Sequence, residues 1–427
     1  MAVFRAWHGT PTQVPMCTSS RRSAGLCTSS MHGSKTESYA AVPASLTAHE
    51  TRHEDVLDKV WLLIHHLLTA DDRARTEHST LLDSGQRQLT DHGFSSLAAR
   101  KALAHAYGRM DADSGTKQPT IFVSIAAYRD DECKDTLNDM FAKASHPRRI
   151  QVGVCQQIRS SDELCWNTTM QRSKQVKIAT IPYFAGKGPC YARYVASTLY
   201  QGEDFYLQLD SHMRFGEGWD QALIDMVLSS SDQRAVFSHY PHDMAQMSST
   251  APRTNDVPRM CDAYFDEATG FPFFKTVQQH MQPGDHRPAA FTAAGMLFAR
   301  ADILAEVPFD PELDLVFIGE EILYSARLWT HGWNLYTPDK NICWHHYNRS
   351  TRPNVWGDIP GWYERQSVGN ARVRYLLDMV PDLPNGQSQA SLDYYGMGYK
   401  RTLAEYWQYA GLDVKERRTW TREKYCA

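Results

Sequence analysis

The sequence predicts an α/β protein built on a mainly parallel sheet with helices on its faces. Three observations lead there. At 427 residues the chain is long enough for one large domain plus an extra segment. Short apolar runs such as Ile121-Phe122-Val123-Ser124-Ile125-Ala126 read as strands buried on both sides, as in parallel sheets. These runs alternate with stretches of helical periodicity, the pattern by which parallel strands are joined.

Taken in order, residues 1–45 read as a disordered tail. Arg5, Arg21, Arg22 and Lys35, many Ser and Thr, and no acid before Glu37 also describe an organelle transit peptide. A helical segment follows over residues 46–115, with Val56, Val60, Ile64 and Leu67 on one stripe and Ala99, Leu103, Tyr107 and Met110 on another. It suits either a partner-docking helix pair or packing against the main domain. Strands are expected at 120–126, 149–155, 176–181 and 203–209, with helices at 132–144 and 189–200. A helix at 219–228 and a strand at 235–238 come next. Residues 240–290, rich in Pro, Met and His, read as a long functional loop or small insert. Phe291 to Ala299 reads as a strand. Glu320 to Trp329 reads as an amphipathic helix with Ile322, Leu323, Ala326, Leu328 and Trp329 on its inner side. These elements make an α/β domain over 118–350, and residues 351–427 form an aromatic-rich extension packed on it, with a helix near 371–379. There is no internal repeat.

Bulk properties exclude some partners. A formal charge of −4 gives no footing for nucleic acid or an anionic membrane. The longest apolar stretch, Val60 to Leu68, falls far short of the roughly 20 residues that cross a bilayer. Nine cysteines without a CxxC include Cys133, Cys155, Cys165, Cys190, Cys261 and Cys343 in mostly apolar surroundings, as reduced core thiols lie. That predicts a reducing compartment. The acceptor patterns at Asn167 and Asn348 matter only in a secreted chain.

The chemistry concentrates at Asp210-Ser211-His212, directly after the strand Glu203 to Leu209. Residues two apart in an extended chain face the same way, so Asp210 and His212 can share one small target. Carboxylate plus imidazole suits Mn²⁺ better than Mg²⁺, which prefers oxygen alone. A strand end of this kind is where an open α/β sheet holds a ligand. The same residues also fit an Asp capping the next turn beside a surface His. Acids in the first turn of a helix, as in Gly319-Glu320-Glu321, are ordinary dipole partners.

Several stretches together point further. They are Ile121 to Asp130 (ending Ala127-Tyr128-Arg129-Asp130), Gly188-Pro189-Cys190-Tyr191-Ala192-Arg193, Leu207 to Phe215, Ala294-Gly295-Met296-Leu297-Phe298, Phe317-Ile318-Gly319-Glu320-Glu321 and Trp344-His345-His346-Tyr347. In number and order they resemble the N-acetylglucosaminyltransferases that act on hydroxyproline in the adaptor subunit of SCF-type ubiquitin ligases. More distantly the chain is similar to the mucin-type polypeptide N-acetylgalactosaminyltransferases. The resemblance covers about residues 118–350 and implies a GT-A fold (Rossmann-like sheet with flanking helices), UDP-GlcNAc as donor, a divalent metal, retention of configuration and a cytoplasmic protein acceptor.

Residue by residue, the resemblance implies Asp210, His212 and one of His345 and His346 as metal ligands, with His345 preferred from the His-x-Tyr spacing. It lays Ala127 to Asp130 against the uridine, with Tyr128 or Asp130 as contacts and Arg129 either a contact or a solvated charge. It turns Arg193 towards the UDP and places Glu320 beside the transferred sugar, with Gly295 allowing close backbone approach. Phe317 stands where relatives carry an aromatic on a mobile loop. Lacking a clearly placed second carboxylate, the site is expected to work by front-face attack, with Glu320 and Asp210 as its catalytic groups. Residues 240–290 and Trp356 to Tyr409 are the expected acceptor groove.

Overall fold

The computed structural model describes residues 118–167, 169–247, 255–382, 386–387 and 389–426. The expected tail at 1–45 and helical segment at 46–115 lie outside the described residues.

Strand β1 (Ile121–Tyr128) is buried along nearly its whole length because both faces are covered. Ile121, Val123 and Ile125 join one core with Leu137 and Met140 of α1 (Cys133–Lys143) and Leu223 and Val227 of α3 (Trp219–Ser229). On the other face Ala126 packs with Ala192 and Ala196 of α2 (Pro189–Ser197). Alternate side chains thus feed opposite layers, as strand geometry requires. Next to β1 run β2 (Ile150–Ile158), β3 (Val176–Pro182) and β4 (Phe205–Asp210), all parallel.

The sheet is completed by β6 (Ala235–Ser238), β10 (Arg287–Pro288), β11 (Met296–Arg300) and β12 (Asn334–Thr337), in the order β10-β12-β6-β11-β4-β1-β2-β3. Only β11 and β10 run against the other six strands. This mainly parallel α/β sheet with helices on its faces is the class expected of a GT-A fold. A second sheet, β5 (Met213–Phe215), β13 (Cys343–His345) and β7 (His242–Asp243), stands beyond the end of β4.

Three elements depart from expectation. Much of residues 240–290 is an antiparallel hairpin of β8 (Asp256–Phe265) and β9 (Pro272–His280). Pro258 and a register shift between Met260 and Asp262 break the alternation that would announce it. The run Phe291 to Gly295 is not strand, because the amides of Thr292, Ala293 and Ala294 donate to side chains of Ser325, Ser238 and Glu321. Helix α5 (Glu320–Thr330) is buried on all sides except at Glu321, rather than along one stripe. It packs on the small helix α4 (Ile303–Glu306) through Tyr324, whose hydroxyl donates to Val307 O.

The C-terminal part covers the far side of α5. Val373 and Leu376 of α7 (Trp362–Leu376), Leu392 of α8 (Gln389–Tyr394) and Tyr406 of α9 (Leu403–Ala410) share a core with Ile322 and Ala326. Tyr406 and Tyr409 also donate to the carbonyls of Ala290 and Ala289. Before α7, the short α6 (Val355–Asp358) closes against Leu315 and Tyr128.

The reduced-thiol expectation fails for three of the six cysteines it named, Cys133, Cys165 and Cys261. Cys133 is bonded to Cys165, and Cys261 to Cys426 beside α10 (Thr421–Tyr425). Each pair is brought together by packing of segments that are apart in sequence. Among the described residues Cys155, Cys190 and Cys343 are free and buried. The Cys261–Cys426 link spans 165 residues, so it removes much chain entropy from the unfolded state. Cys426→Ser, or reduction of the unaltered protein, should lower the unfolding free energy by about 2–5 kcal/mol. Denaturant melts with and without reductant check this, and a variant that still loses stability on reduction to the same extent would contradict it.

Candidate metal centre and active site

The site is assembled at the carboxyl ends of β1 and β4, which pair with Ala126 opposite Asp210. β4 delivers Asp210, and the turn into β5 delivers His212. Strand β13 lies antiparallel to β5 with His345 opposite Met213, and the His346 amide donates to His212 O at 3.1 Å. That register sets His345 beside His212, with ring centroids 4.6 Å apart. Asp210, His212 and His345 each offer a ligand atom, and these lie within 4.8 Å of one another.

The donor set fits a divalent cation. His345 Nε2 lies 3.1 Å from Asp210 Oδ2, and His345 Nδ1 is buried without a partner. One carboxylate and two imidazoles suit Mn²⁺ or a similar transition ion better than Mg²⁺. His346 turns the other way, donating Nδ1 to Glu132 Oε1 at 2.6 Å. Burial alone would raise the Asp210 carboxyl, but the hydrogen bond to His345 and the charges of His345, His212 and Arg193 hold it well below the usual range. For His345, burial dominates and pushes the imidazole down, towards the neutral form a metal ligand needs.

Gly295 abuts this centre. A Cβ there would stand 3.0 Å from Asp210 Oδ2 and 3.9 Å from His345 Cδ2, and the Gly295 carbonyl accepts from the Asp210 amide. The glycine therefore makes room for the carboxylate.

Arg193 joins the centre to Glu320. It is 4% exposed, pairs with Glu320 through Nη1, and places Nη2 3.4 Å from Asp210 Oδ1. Gly188, with φ +85°, caps helix α2 in a conformation that L side chains rarely adopt, and a Cβ there would stand 2.9 Å from Leu315 Cα. Glu320 is the first residue of α5 and also accepts from Cys190 Sγ at 3.3 Å. Burial raises its carboxyl against the opposing pull of Arg193. Its neighbour Glu321 accepts from the Tyr240 hydroxyl and from the Ala294 amide at 2.8 Å, and burial pushes it up to about 7.

The end of β1 and the turn after it are engaged by side chains of the chain itself. Ala127 is fully buried. Tyr128 donates its hydroxyl to Asp358 of α6, and Arg129 is held by Asp162 at 2.9 Å and by Asp358 at 2.7 Å. Arg159 reaches the other oxygen of Asp358. Asp130 lies buried beneath His212, with Ser211 and Arg349 beside it. The structure thus gathers Asp210, His212, His345, Gly295, Arg193 and Glu320 in one place and ties Tyr128 and Arg129 to the C-terminal part. Tyr240, Asp358 and Arg349 escaped the sequence reading. For Arg349 the signal available was its extended spacing from His345 and Tyr347; for the other two no local pattern exists.

A family model described as Glycosyltransferase (GlcNAc) matches residues 120–179 and 167–416. Among solved structures the chain is similar to GalNAc-T7 with UDP, GalNAc and Mn²⁺, at TM-score 0.47 and 14% identity, covering 70% of this chain and 58% of that one. It is also similar to S. aureus TarS 1-349 in complex with UDP-GlcNAc, at TM-score 0.38 and 13% identity, covering 65% of this chain and 70% of that one. The chain therefore spans less than two thirds of the GalNAc-T7 chain. No curated protein sequence matches it.

Two outcomes follow from this geometry. Gly295→Ala should weaken divalent-metal binding by about tenfold while shifting the metal-free melting temperature little, because the methyl presses on a ligand oxygen. Titration of Mn²⁺ into both proteins measures it, and equal affinities would count against the crowding. For Glu321, a folded-state value raised to about 7 means the native state holds more protons than the unfolded chain between about pH 4.5 and 7. Its contribution to stability is therefore lost as pH rises through that window. Melting curves at pH 5 and pH 8 should show Glu321→Gln gaining on the unaltered protein at the higher pH, and a constant difference would reject the assignment.

Proposed function

The chain belongs to the Glycosyltransferase (GlcNAc) family, and on that premise we propose that it moves N-acetylglucosamine from UDP-GlcNAc to a hydroxyproline hydroxyl on a protein acceptor, the adaptor subunit of an SCF-type ubiquitin ligase, with Mn²⁺ as its metal. The observation that carries this reading is the convergence of Asp210, His212 and His345 beside Arg193 and Glu320 at the carboxyl end of the sheet. A divalent cation held by that triad would supply positive charge for the diphosphate leaving group.

The remaining roles belong to the chain itself. Arg193, pinned between Glu320 and Asp210, keeps both carboxylates in fixed positions. Glu320, at the rim of the triad, offers a carboxylate oxygen to hydroxyls of the donor sugar and stabilises positive charge developing at the anomeric carbon. Transfer with retention by front-face attack is supported by the engagement of each nearby carboxylate. Glu321 is taken by Tyr240 and the Ala294 amide, Asp130 by Ser211, His212 and Arg349. That leaves neither of these two free to form a glycosyl-enzyme bond, and Glu320 is held by Arg193 and Cys190. Phe317 is 44% exposed and meets Trp356 edge-on, and Trp356 continues to Trp362, which supports an aromatic acceptor platform there.

A second reading has its own observation. The Cys133–Cys165 and Cys261–Cys426 bonds belong to an oxidising compartment, and they remove the cysteine argument for the cytoplasm. The same chemistry on a Ser, Thr or glycan acceptor is the form it would take there. No helix of the described residues is long and apolar enough to cross a membrane.

The test is sugar transfer from UDP-GlcNAc with Mn²⁺ to matched peptides bearing hydroxyproline, proline, Ser or Thr, with Asp210→Ala as control. Transfer to the hydroxyproline peptide alone, falling at least about a hundredfold in the variant, is the expected result. Labelling of the Ser/Thr peptide instead moves the acceptor to the second reading. Full activity in Asp210→Ala would sink the metal-assisted mechanism.

A further inference from the structure

We propose that Asp130 is a positioning residue of the metal centre, whose carboxylate holds the His212 imidazole so that its second nitrogen faces Asp210 and His345. The inference rests on reading that triad as a metal site.

The geometry is that of a carboxylate behind an imidazole. Asp130 is 6% exposed and lies two residues past the end of β1, while His212 lies two past the end of β4. Because these strands are parallel neighbours in register, the two turns lie side by side. His212 Nδ1 donates to Asp130 Oδ2 at 2.8 Å. An ionised carboxylate only accepts, so Nδ1 carries a proton, and in the neutral imidazole that binds a metal the other ring nitrogen is the one with the lone pair. The imidazole is thereby committed to one tautomer and one ring orientation.

Asp130 is itself held from every side. Its Oδ2 also accepts from Ser211 Oγ at 2.6 Å, and its Oδ1 accepts from the Glu132 amide at 3.0 Å and faces Arg349 Nη2 at 3.0 Å. Two contacts on each oxygen use the acceptor capacity of the carboxylate. With both oxygens so occupied, the carboxylate is suited to a role behind the metal ligand. Arg349 is buried as well, and reaches Glu132 Oε1 through Nη1.

The two histidines of the triad are supported by different means. His345 Nδ1 has no hydrogen-bond partner, and its ring is placed by the β13–β5 pairing and by the Tyr347 ring at 4.1 Å. His212 sits in the turn between β4 and β5, where its carbonyl accepts from the His346 amide, but that backbone bond leaves the ring free to rotate. Asp130 supplies there what the strand register supplies for His345.

The experiment measures Mn²⁺ binding to the full chain without donor, from the signal of free Mn²⁺ in electron paramagnetic resonance. Asp130→Asn keeps the shape but loses the full acceptor charge, and should bind Mn²⁺ about 10–100-fold more weakly than the unaltered protein. Sugar transfer in this variant should be restored by raising Mn²⁺, with the turnover at saturating metal near that of the unaltered enzyme. A purely structural role would lower the metal-free melting temperature and leave the metal affinity in place. Mn²⁺ affinity within about twofold of the unaltered protein would overturn the proposal. If Asp130→Asn does not fold, Asp130→Glu keeps the charge facing Arg349 but displaces it from Nδ1. The same loss is expected of it, and unchanged affinity again overturns the proposal. Asp210→Ala separates the two levels: if it binds Mn²⁺ as tightly as the unaltered protein, the triad is not the metal site and the underlying reading falls as well.

Discussion

Every feature of the site depends on compensating carboxylates that have been withdrawn from water. Asp130 and Glu320 are buried, and Asp210 and Glu321 are half-buried. An isolated ionised carboxylate in such surroundings is prohibitively unfavourable. Each is therefore matched: Asp210 by Arg193 and two imidazoles, Glu320 by Arg193, Asp130 by Arg349 and His212, and Glu321 by Tyr240 with a raised proton affinity. These partners come from α2, from the loop after β13 and from the segment before β7. Compensation of charge thus ties the sheet, α5 and the small second sheet into one rigid edge.

Two kinds of rigidity meet there. The Asp210 backbone is held by β4 between β1 and β11, and His345 is held by pairing with β5. Side chains outside these strands, His212 and Arg193 above all, are held by hydrogen bonds to acids. Pre-organisation of that sort fixes the positions of these polar groups in advance. The C-terminal part adds a further constraint, since Asp358 of α6 gathers Tyr128, Arg129 and Arg159 at the ends of β1 and β2. The end of β1 is thereby shaped by a residue more than 200 positions away in the chain.

The fold class was legible because buried parallel strands write themselves as apolar runs, and because helix and strand periods differ. β1, β3, β4 and α3 lie close to where the pattern puts them. The hairpin β8–β9 was not legible, since Pro258, a bulge and exposed positions on β9 erase the two-residue alternation. Helix α5 reads as amphipathic by composition but is buried on nearly every side. The C-terminal helices that cover it contribute no signal to its own residues.

Of the site, the sequence by itself determined the part whose geometry is local. Asp210 and His212 follow one apolar strand two residues apart, and that spacing in an extended chain is enough to aim both at one point. Resemblance extended this to His345, Arg193 and Glu320. Only the tertiary structure decided the rest. Which histidine of the His345–His346 pair joins the triad depends on the register of β13 against β5. That Asp130 backs His212 depends on β1 lying beside β4. That Cys133 and Cys261 are bonded while Cys155 and Cys190 are free depends on which thiols packing brings together. The physical reason is common to all three: a hydrogen bond, a ligand pair or a disulfide is decided by distances of a few ångströms between segments far apart in the chain, and such distances leave no trace in the local order of residues.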